Sequence, residues 1–370
     1  MREWDDEFNP FNSWKALVHG DHFEAIVHEN YLPPVVVNLD VSGTCNYRCV
    51  HCHHRNKQIK NRGLPFLDER LAKKFPMFLK HWEVMGHRPK AACIVGSQGD
   101  ALLFKPLSGL LRNLHYCAID VGLVSNGYAY TDQLVDAAVH YCKFVGFSID
   151  AGDKASYQAV HQCPSDGFDV VLKNVERMVS AVHRAGVKND IGWKFLIFPE
   201  SYHTLHESCR LAKELGVRFV QIRPADLSPE ARVKIDIEEV NSQIACAMSD
   251  FNEPGIFNIV GVRHKFNPDF TKKLPEYCYL TPLTVTITSD AKAWPCVDRR
   301  WDEPTLLADC STTWKALQDA WGSARHVGIV HNILNRCGKG PDCDIRCSNY
   351  GYAALFDRVF EKDDMDRTLI

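Results

Sequence analysis

Three features that would assign the chain early are missing. No apolar run approaches the roughly 20 residues that span a bilayer; Pro33-Pro34-Val35-Val36-Val37 is typical of the longest. The acidic opening, Met1-Arg2-Glu3-Trp4-Asp5-Asp6-Glu7, has no apolar core of a secretory signal, which predicts a cytoplasmic protein and no membrane partner. Nor is there an excess of charge. With 43 Lys and Arg against 46 Asp and Glu the net charge is -3, so no polyelectrolyte field points to a nucleic-acid partner. Repeats and low-complexity tracts are missing too, and 45% hydrophobic residues exclude a disordered chain.

Cysteine, by contrast, is plentiful. Fifteen residues, an odd number, in a chain expected to meet a reducing compartment argue for thiolate ligands and buried thiols over a disulfide framework.

From Val35 onward, short β-branched runs alternate with amphipathic stretches, the rhythm of βαβ units around a parallel sheet. Strands are expected at 35–39, 91–95, 118–124, 144–149, 190–197 and 218–222, and helices at 68–83, 107–114, 131–139, 168–185 and 202–215. The last two helices end at Gly186 and Gly216, where glycine can leave the helix with positive φ. Six such units predict an α/β fold, a partial (β/α)6 barrel. Residues 235–250 read as a helix and 255–266 as a strand or loop. After Cys278, two short strands at 283–288 and 293–295 flank a polar turn, a β-hairpin, and a helix near 312–321 precedes a cysteine-rich stretch at 337–347. The expected division is a lead-in segment at 1–34, with some helix, the barrel at 35–235, a connection at 236–277 and a cluster-binding extension at 278–370.

Thr44-Cys45-Asn46-Tyr47-Arg48-Cys49-Val50-His51-Cys52 brings three thiols onto one loop behind the first strand. Three thiolates can hold three irons of a cubane and leave the fourth without a protein ligand, whereas closed clusters and structural zinc sites take four. On residue types alone, zinc held by these thiols with His51, His53 or His54 is the alternative. The C-x3-C-x2-C spacing resembles the signature of the radical S-adenosylmethionine (SAM) enzymes, and His51 stands where that family usually has an aromatic residue. The resemblance covers 35–235. It implies a [4Fe-4S] cluster on Cys45, Cys49 and Cys52 whose open iron binds SAM through its amino and carboxylate groups. A reduced cluster then yields a 5'-deoxyadenosyl radical that abstracts a substrate hydrogen atom.

The same resemblance extends to strand ends. Gly96-Ser97-Gln98-Gly99-Asp100-Ala101 looks like a variant of the family's Gly-Gly-Glu-Pro segment without its proline, which makes Gln98, Gly99 and Asp100 cofactor-binding candidates, the carboxylate accepting from the ammonium of SAM. Ser125-Asn126-Gly127 and Ser148-Ile149-Asp150 resemble its Thr-Asn-Gly and Ser-Leu-Asp, adding Asn126, Ser148 and Asp150 at the carboxyl ends of strands, where barrel sites lie. Lys194, Gln221 and Arg223 are inward or rim candidates for cofactor or substrate.

A second group of cysteines, Cys278, Cys296, Cys310, Cys337, Cys343 and Cys347, lies around the hairpin and in the segment beyond it. The arrangement resembles the twitch or shortened SPASM extension of the same family and implies one auxiliary [4Fe-4S] cluster on Cys278, Cys296 and Cys347 with Cys337 or Cys343. Four thiolates would also serve zinc. Cys310 reads as a buried hydrophobe. Cys163 is a candidate hydrogen-atom donor at the barrel mouth, and Cys93, Cys117, Cys142, Cys209 and Cys246 read mostly as core.

Taken together, the resemblance implies an oxidoreductase that draws electrons from a donor such as flavodoxin or ferredoxin. Only 44 residues precede Cys45, which favours dehydrogenation of a small polar metabolite such as an amino-sugar, cyclitol or nucleoside over peptide substrates. A peptide maturase or an epimerase is the alternative within the family, and a zinc-binding or electron-transfer iron-sulfur protein the alternative outside it.

Overall fold

The structure is a computed structural model that describes residues 18–52, 65–95, 99–225, 227–261 and 278–337. The six expected strands are all present: β1 (Val36–Leu39), β2 (Ala91–Val95), β3 (Asp120–Ser125), β4 (Phe144–Ser148), β5 (Asp190–Ile197) and β6 (Phe219–Pro224). A seventh parallel strand, β7 (Asn258–Gly261), extends them within the stretch expected as strand or loop. β3 starts later than expected because Ala118 turns at φ +56°.

Helices cross between the strands. They are α1 (Gly20–Val27), α2 (Glu69–His81), α3 (Leu107–Tyr116), α4 (Asp132–Tyr141), α5 (Lys154–His161), α6 (Gly167–Ala185) and α7 (Leu205–Glu214), followed by the single turn α8 (Pro229–Arg232) and by α9 (Ile237–Phe251). Their starts are chemically marked. The Asp68, Thr131 and Asp153 side chains accept the first free backbone N–H groups of α2, α4 and α5. The short α5 was not anticipated from the sequence, where its eight residues carry too little periodic signal between β4 and α6.

The hairpin strands β8 (Thr284–Ile287) and β9 (Lys292–Trp294) are antiparallel, as expected, with a two-residue β10 (Ala308–Asp309) beyond them. The hairpin is not a separate sheet, however: β8 pairs in parallel with β1, Val36 opposite Thr284 and Asn38 opposite Thr286. The described strands thus form one sheet in the order β10, β9, β8, β1, β2, β3, β4, β5, β6, β7. The helix near 312–321 shrinks to α10 (Lys315–Ala320), stops before Gly322 at φ +72°, and gives way to an unanticipated α11 (Ala324–Cys337). Two indole N–H groups fasten this region down, Trp314 to the Leu71 carbonyl at 2.9 Å and Trp321 to the Leu32 carbonyl at 2.7 Å.

Side-chain parity divides the sheet. Val37, Leu39, Ala92, Ile94, Val121, Leu123, Val145, Phe147, Trp193, Phe195 and Val220 are buried in the main core with the apolar faces of the helices. Their neighbours of opposite parity, register-matched from Asn38 to Cys93 to Gly122 to Phe144 and from Ser148 to Lys194 to Gln221, face the barrel lumen. Among the described residues no helix is long and apolar enough to cross a membrane.

Candidate active site

The cysteine loop leaves the carboxyl end of β1 and is braced from three sides. The Ser42 hydroxyl donates to the Thr44 carbonyl at 2.9 Å, the Asp100 N–H donates to that same carbonyl at 2.8 Å, and the Gly43 N–H donates to Pro65 at 2.8 Å. Gly99 is a close-approach glycine. A Cβ there would stand 2.3 Å from the Thr44 carbonyl oxygen and 2.6 Å from that of Ser42, so a side chain would displace the loop. From the far side, the end of α5 supplies the His161 carbonyl to Arg48 N–H at 3.2 Å and the Val160 carbonyl to Val50 N–H at 2.9 Å.

His161 does more than close a helix. Its Nε2 lies 2.8 Å from the Ile149 carbonyl, which can only accept, so Nε2 carries the proton and Nδ1 turns its lone pair to the Cys49 thiol at 3.2 Å. Burial lowers the imidazole to about 4, which keeps it neutral. Desolvation pushes Cys45 up to about 11, and Cys49 is raised by desolvation and by the nearby Cys45 and Cys52 sulfurs. Cys45 is nonetheless open to solvent and Cys49 half-buried, so both thiols can ionise once a cation supplies the missing positive charge. Cys45 is already furnished with N–H partners for a thiolate, Tyr47 N–H at 3.4 Å and the Asn126 amide at 3.7 Å, the kind of contact that tunes iron-sulfur ligands. The donor set therefore fits a cluster bound by three thiolates. Among the described residues no three His, Cys, Asp or Glu groups close around a single metal ion.

The strand-end candidates surround this loop in different roles. The Asn126 amide reaches Asn46 at 2.8 Å as well as Cys45. Asp100, 3% exposed, accepts from Asn126 N–H at 2.8 Å and Leu102 N–H at 3.0 Å; burial raises it to about 6. Through these bonds its carboxylate ties β2's end to β3's beside the cysteine loop. Asp150, at φ +57° and raised by burial to about 7, accepts from Leu196 N–H at 2.7 Å and stands 3.7 Å from His161 Nε2. Ser148, Lys194 and Arg223 are half-buried on lumen-facing parity, while Gln98 lies outside the described residues. His51 stacks on Phe198, ring centroids 4.9 Å apart, and its Nε2 meets Glu200 at 2.8 Å.

Cys163 lies against Tyr47 of the cysteine loop. It packs where α6 begins, near Gly167, Tyr128 and Tyr157. Tyr47 itself sits between those two rings and His161, an aromatic clamp on the loop that its spacing did not reveal.

In the second group, Cys278 has the surroundings of a ligand. Backbone N–H groups of Leu280 and Thr281, the Thr281 hydroxyl and the Arg299 guanidinium all favour its thiolate, against burial that raises its pKa. Cys296 opens the turn Val297–Arg299. Cys310 is buried in the main core, as a plain hydrophobe would be. The Cys337 thiol, Cys343 and Cys347 lie outside the described residues, as do His53 and His54. Between the two groups runs a buried ion pair: Arg300, just past Cys296, reaches Asp40, just before the cysteine loop, at 2.9 Å.

Residues 39–212 match the family model described as the Radical SAM superfamily. No curated protein matches the sequence. Among solved structures, Streptococcus suis SuiB bound to S-adenosylmethionine is similar over 93% of this chain and 79% of its own, with 13% identity and a TM-score of 0.62. SuiB bound to its precursor peptide SuiA is similar over 86% and 72%, with 12% identity and a TM-score of 0.62. Native anSMEcpe with bound AdoMet is similar over 89% of this chain and 97% of its own, with 13% identity and a TM-score of 0.58.

Proposed function

We propose, on the premise that this chain is a radical S-adenosylmethionine enzyme whose domain spans residues 39–212, that it oxidises a small polar metabolite held in the barrel lumen. The observation that carries the reading is the braced loop at the end of β1, where Cys45 and Cys49 are already set among N–H and imidazole partners. Cys45, Cys49 and Cys52 would hold the first [4Fe-4S] cluster, and Cys278 and Cys296, with Cys347 and either Cys337 or Cys343, the auxiliary one. When bound, the clusters and SAM supply one-electron chemistry that removes a hydrogen atom from an unactivated carbon and accepts the electron left behind.

The chain's own residues orient that site. Asn126 holds Cys45 by its amide, His161 and the Tyr47 clamp fix the loop's outer side, and Gly99 lets the β2 loop press against it. Ser148 and Asp150 stand at the next strand end for contacts to the nucleoside part of SAM. An apolar wall of Val160, Phe198, Ala225 and Leu227 adjoins His51 and suits a flat base. The electron donor would be a flavodoxin or ferredoxin of the cytoplasm.

A peptide substrate is the second reading. It is favoured by likeness in fold to SuiB, whose structure with a precursor peptide has been solved, and to anSMEcpe with bound AdoMet and Cp18Cys peptide. Anaerobically reconstituted protein should hold roughly eight irons and release 5'-deoxyadenosine from SAM under a strong reductant, and Cys45→Ala, Cys49→Ala and Cys52→Ala should each abolish release. Activity surviving those changes, or zinc in place of iron, would refute the assignment. Oxidation of small polyols or nucleosides but not of peptides would separate the two substrate readings.

A further inference from the structure

The lumen face contains a cation that no described acid reaches within ion-pairing distance, Asp150 acting on it only through space. Lys194 on β5 forms no ion pair or hydrogen bond among the described residues; its stem passes the open space left by Gly146, where a Cβ would stand 3.1 Å from its Cε. The ammonium lies 5.9 Å from the centroid of the Phe144 ring, a contact with the ring's negative face that leaves its hydrogen-bonding directions unfilled. Asp150, whose charge favours the ammonium, makes no ion pair with it and accepts from the Leu196 N–H beside His161, while Asp40 pairs with Arg300.

A second observation is independent of that charge. Gln221, register partner of Lys194 on β6, is 6% exposed, yet its amide makes no hydrogen bond among the described residues. Across the sheet, the Thr286 hydroxyl is wholly buried and also without a partner. The Gln221 amide, register-matched with Lys194 and without a hydrogen-bond partner among the described residues, leaves donors beside the ammonium for a guest that supplies acceptors. Burial and the nearby Arg223 push Lys194 down to about 8, against the opposing influence of Cys93 and Asp150.

We propose that Lys194, with the Gln221 amide beside it, binds an anionic group of the substrate, a carboxylate or a phosphate ester, and so fixes which carbon faces the cysteine loop. This rests on the reading of the lumen as the substrate site, and it narrows the substrate to an acidic metabolite. It also assigns Lys194 to the substrate and not to the carboxylate of SAM.

The test uses reconstituted full-length enzyme with saturating SAM. Inorganic phosphate and acetate serve as probes, with chloride at equal ionic strength as the control. A tenfold excess of the preferred probe over its dissociation constant should raise the thermal midpoint by about 2 °C or more. The rise should vanish in Lys194→Met, shrink in Gln221→Leu and largely survive in Lys194→Arg, which guards against misfolding as the cause. The larger rise, with phosphate or with acetate, identifies the anion. Equilibrium dialysis with labelled SAM should give affinities for wild type and Lys194→Met that agree within roughly threefold, less than 1 kcal/mol. The proposal is overturned if no probe exceeds chloride, if the rise persists in Lys194→Met, or if that variant loses SAM binding. Wild-type enzyme that binds the probe but releases no 5'-deoxyadenosine would leave the anion site standing and sink the catalytic reading instead.

Discussion

The two faces of the barrel sheet obey opposite rules. On the outer face Val37, Ile94, Leu123, Phe147, Trp193 and Phe195 are essentially inaccessible and pack under helices. On the lumen face the same strands present Asn38, Cys93, glycines at 122, 146 and 192, Lys194 and Gln221. Stability is concentrated on one side of each ladder and chemistry on the other, one residue apart. The glycines show how sharply the inner space is apportioned. At Gly192 a Cβ would meet Phe219 at 2.7 Å and Phe144 at 2.9 Å, so two stacked rings occupy the room that glycine vacates.

Substitutions can break or sharpen this contrast. The largest expected effect is on the outer face, where Phe195→Ala should cost about 3–5 kcal/mol in urea unfolding while leaving the iron-sulfur absorption of the refolded, reconstituted enzyme intact. Arg300→Met tests whether an ion pair can make the lumen side equally critical. Asp40 would be left charged and buried, at a cost of about 3 kcal/mol or more, and Asp40→Asn in the same chain should restore a good part of it. A loss under 1 kcal/mol would mean that the pair is dispensable.

A smaller effect should appear as a pH slope. Lys194 has a folded pKa near 8, below its ordinary 10.5, so between those values the unfolded chain binds more protons and stability rises with pH. Wild type should gain stability relative to Lys194→Met as pH climbs from about 8 to about 10.5, and a bound anion should flatten the gain. Gln221→Leu should have the smallest effect, a change within about 0.5 kcal/mol or a slight gain, because an unpaired amide gives way to an apolar group of similar size. A large loss there would mean that the amide has a structural partner after all.

The outer face is the half that a sequence displays. Alternating Val, Ile and Phe made the strands legible, and glycine stops marked the helix ends at 186 and 216, because burial against helices demands a regular apolar pattern. The Cys45, Cys49 and Cys52 spacing was equally plain, since its ligands are local. Its supports were not. His161 on Cys49, Gly99 against Thr44 and Arg300 on Asp40 are contacts between distant segments with no periodicity of their own, and His161 in sequence is one of 17 histidines. Asp100 was marked as a site residue by its motif, while its bond from Asn126 N–H at the end of β3 is one that only the folded chain brings within reach. Cys163 gave no such signal: its contact with Tyr47 of the cysteine loop joins segments more than a hundred residues apart.

The pairing of β8 with β1 has a consequence for how the molecule comes into being. Until Thr284 has been synthesised, the strand that launches the cysteine loop lacks the neighbour on its outer side, and Asp40 lacks the guanidinium of Arg300. A nascent chain can assemble its central units early, since their contacts are local, but its first strand is completed late by a distant one. Iron delivered during translation would therefore meet a half-built cradle, whereas iron delivered after release would meet a finished one.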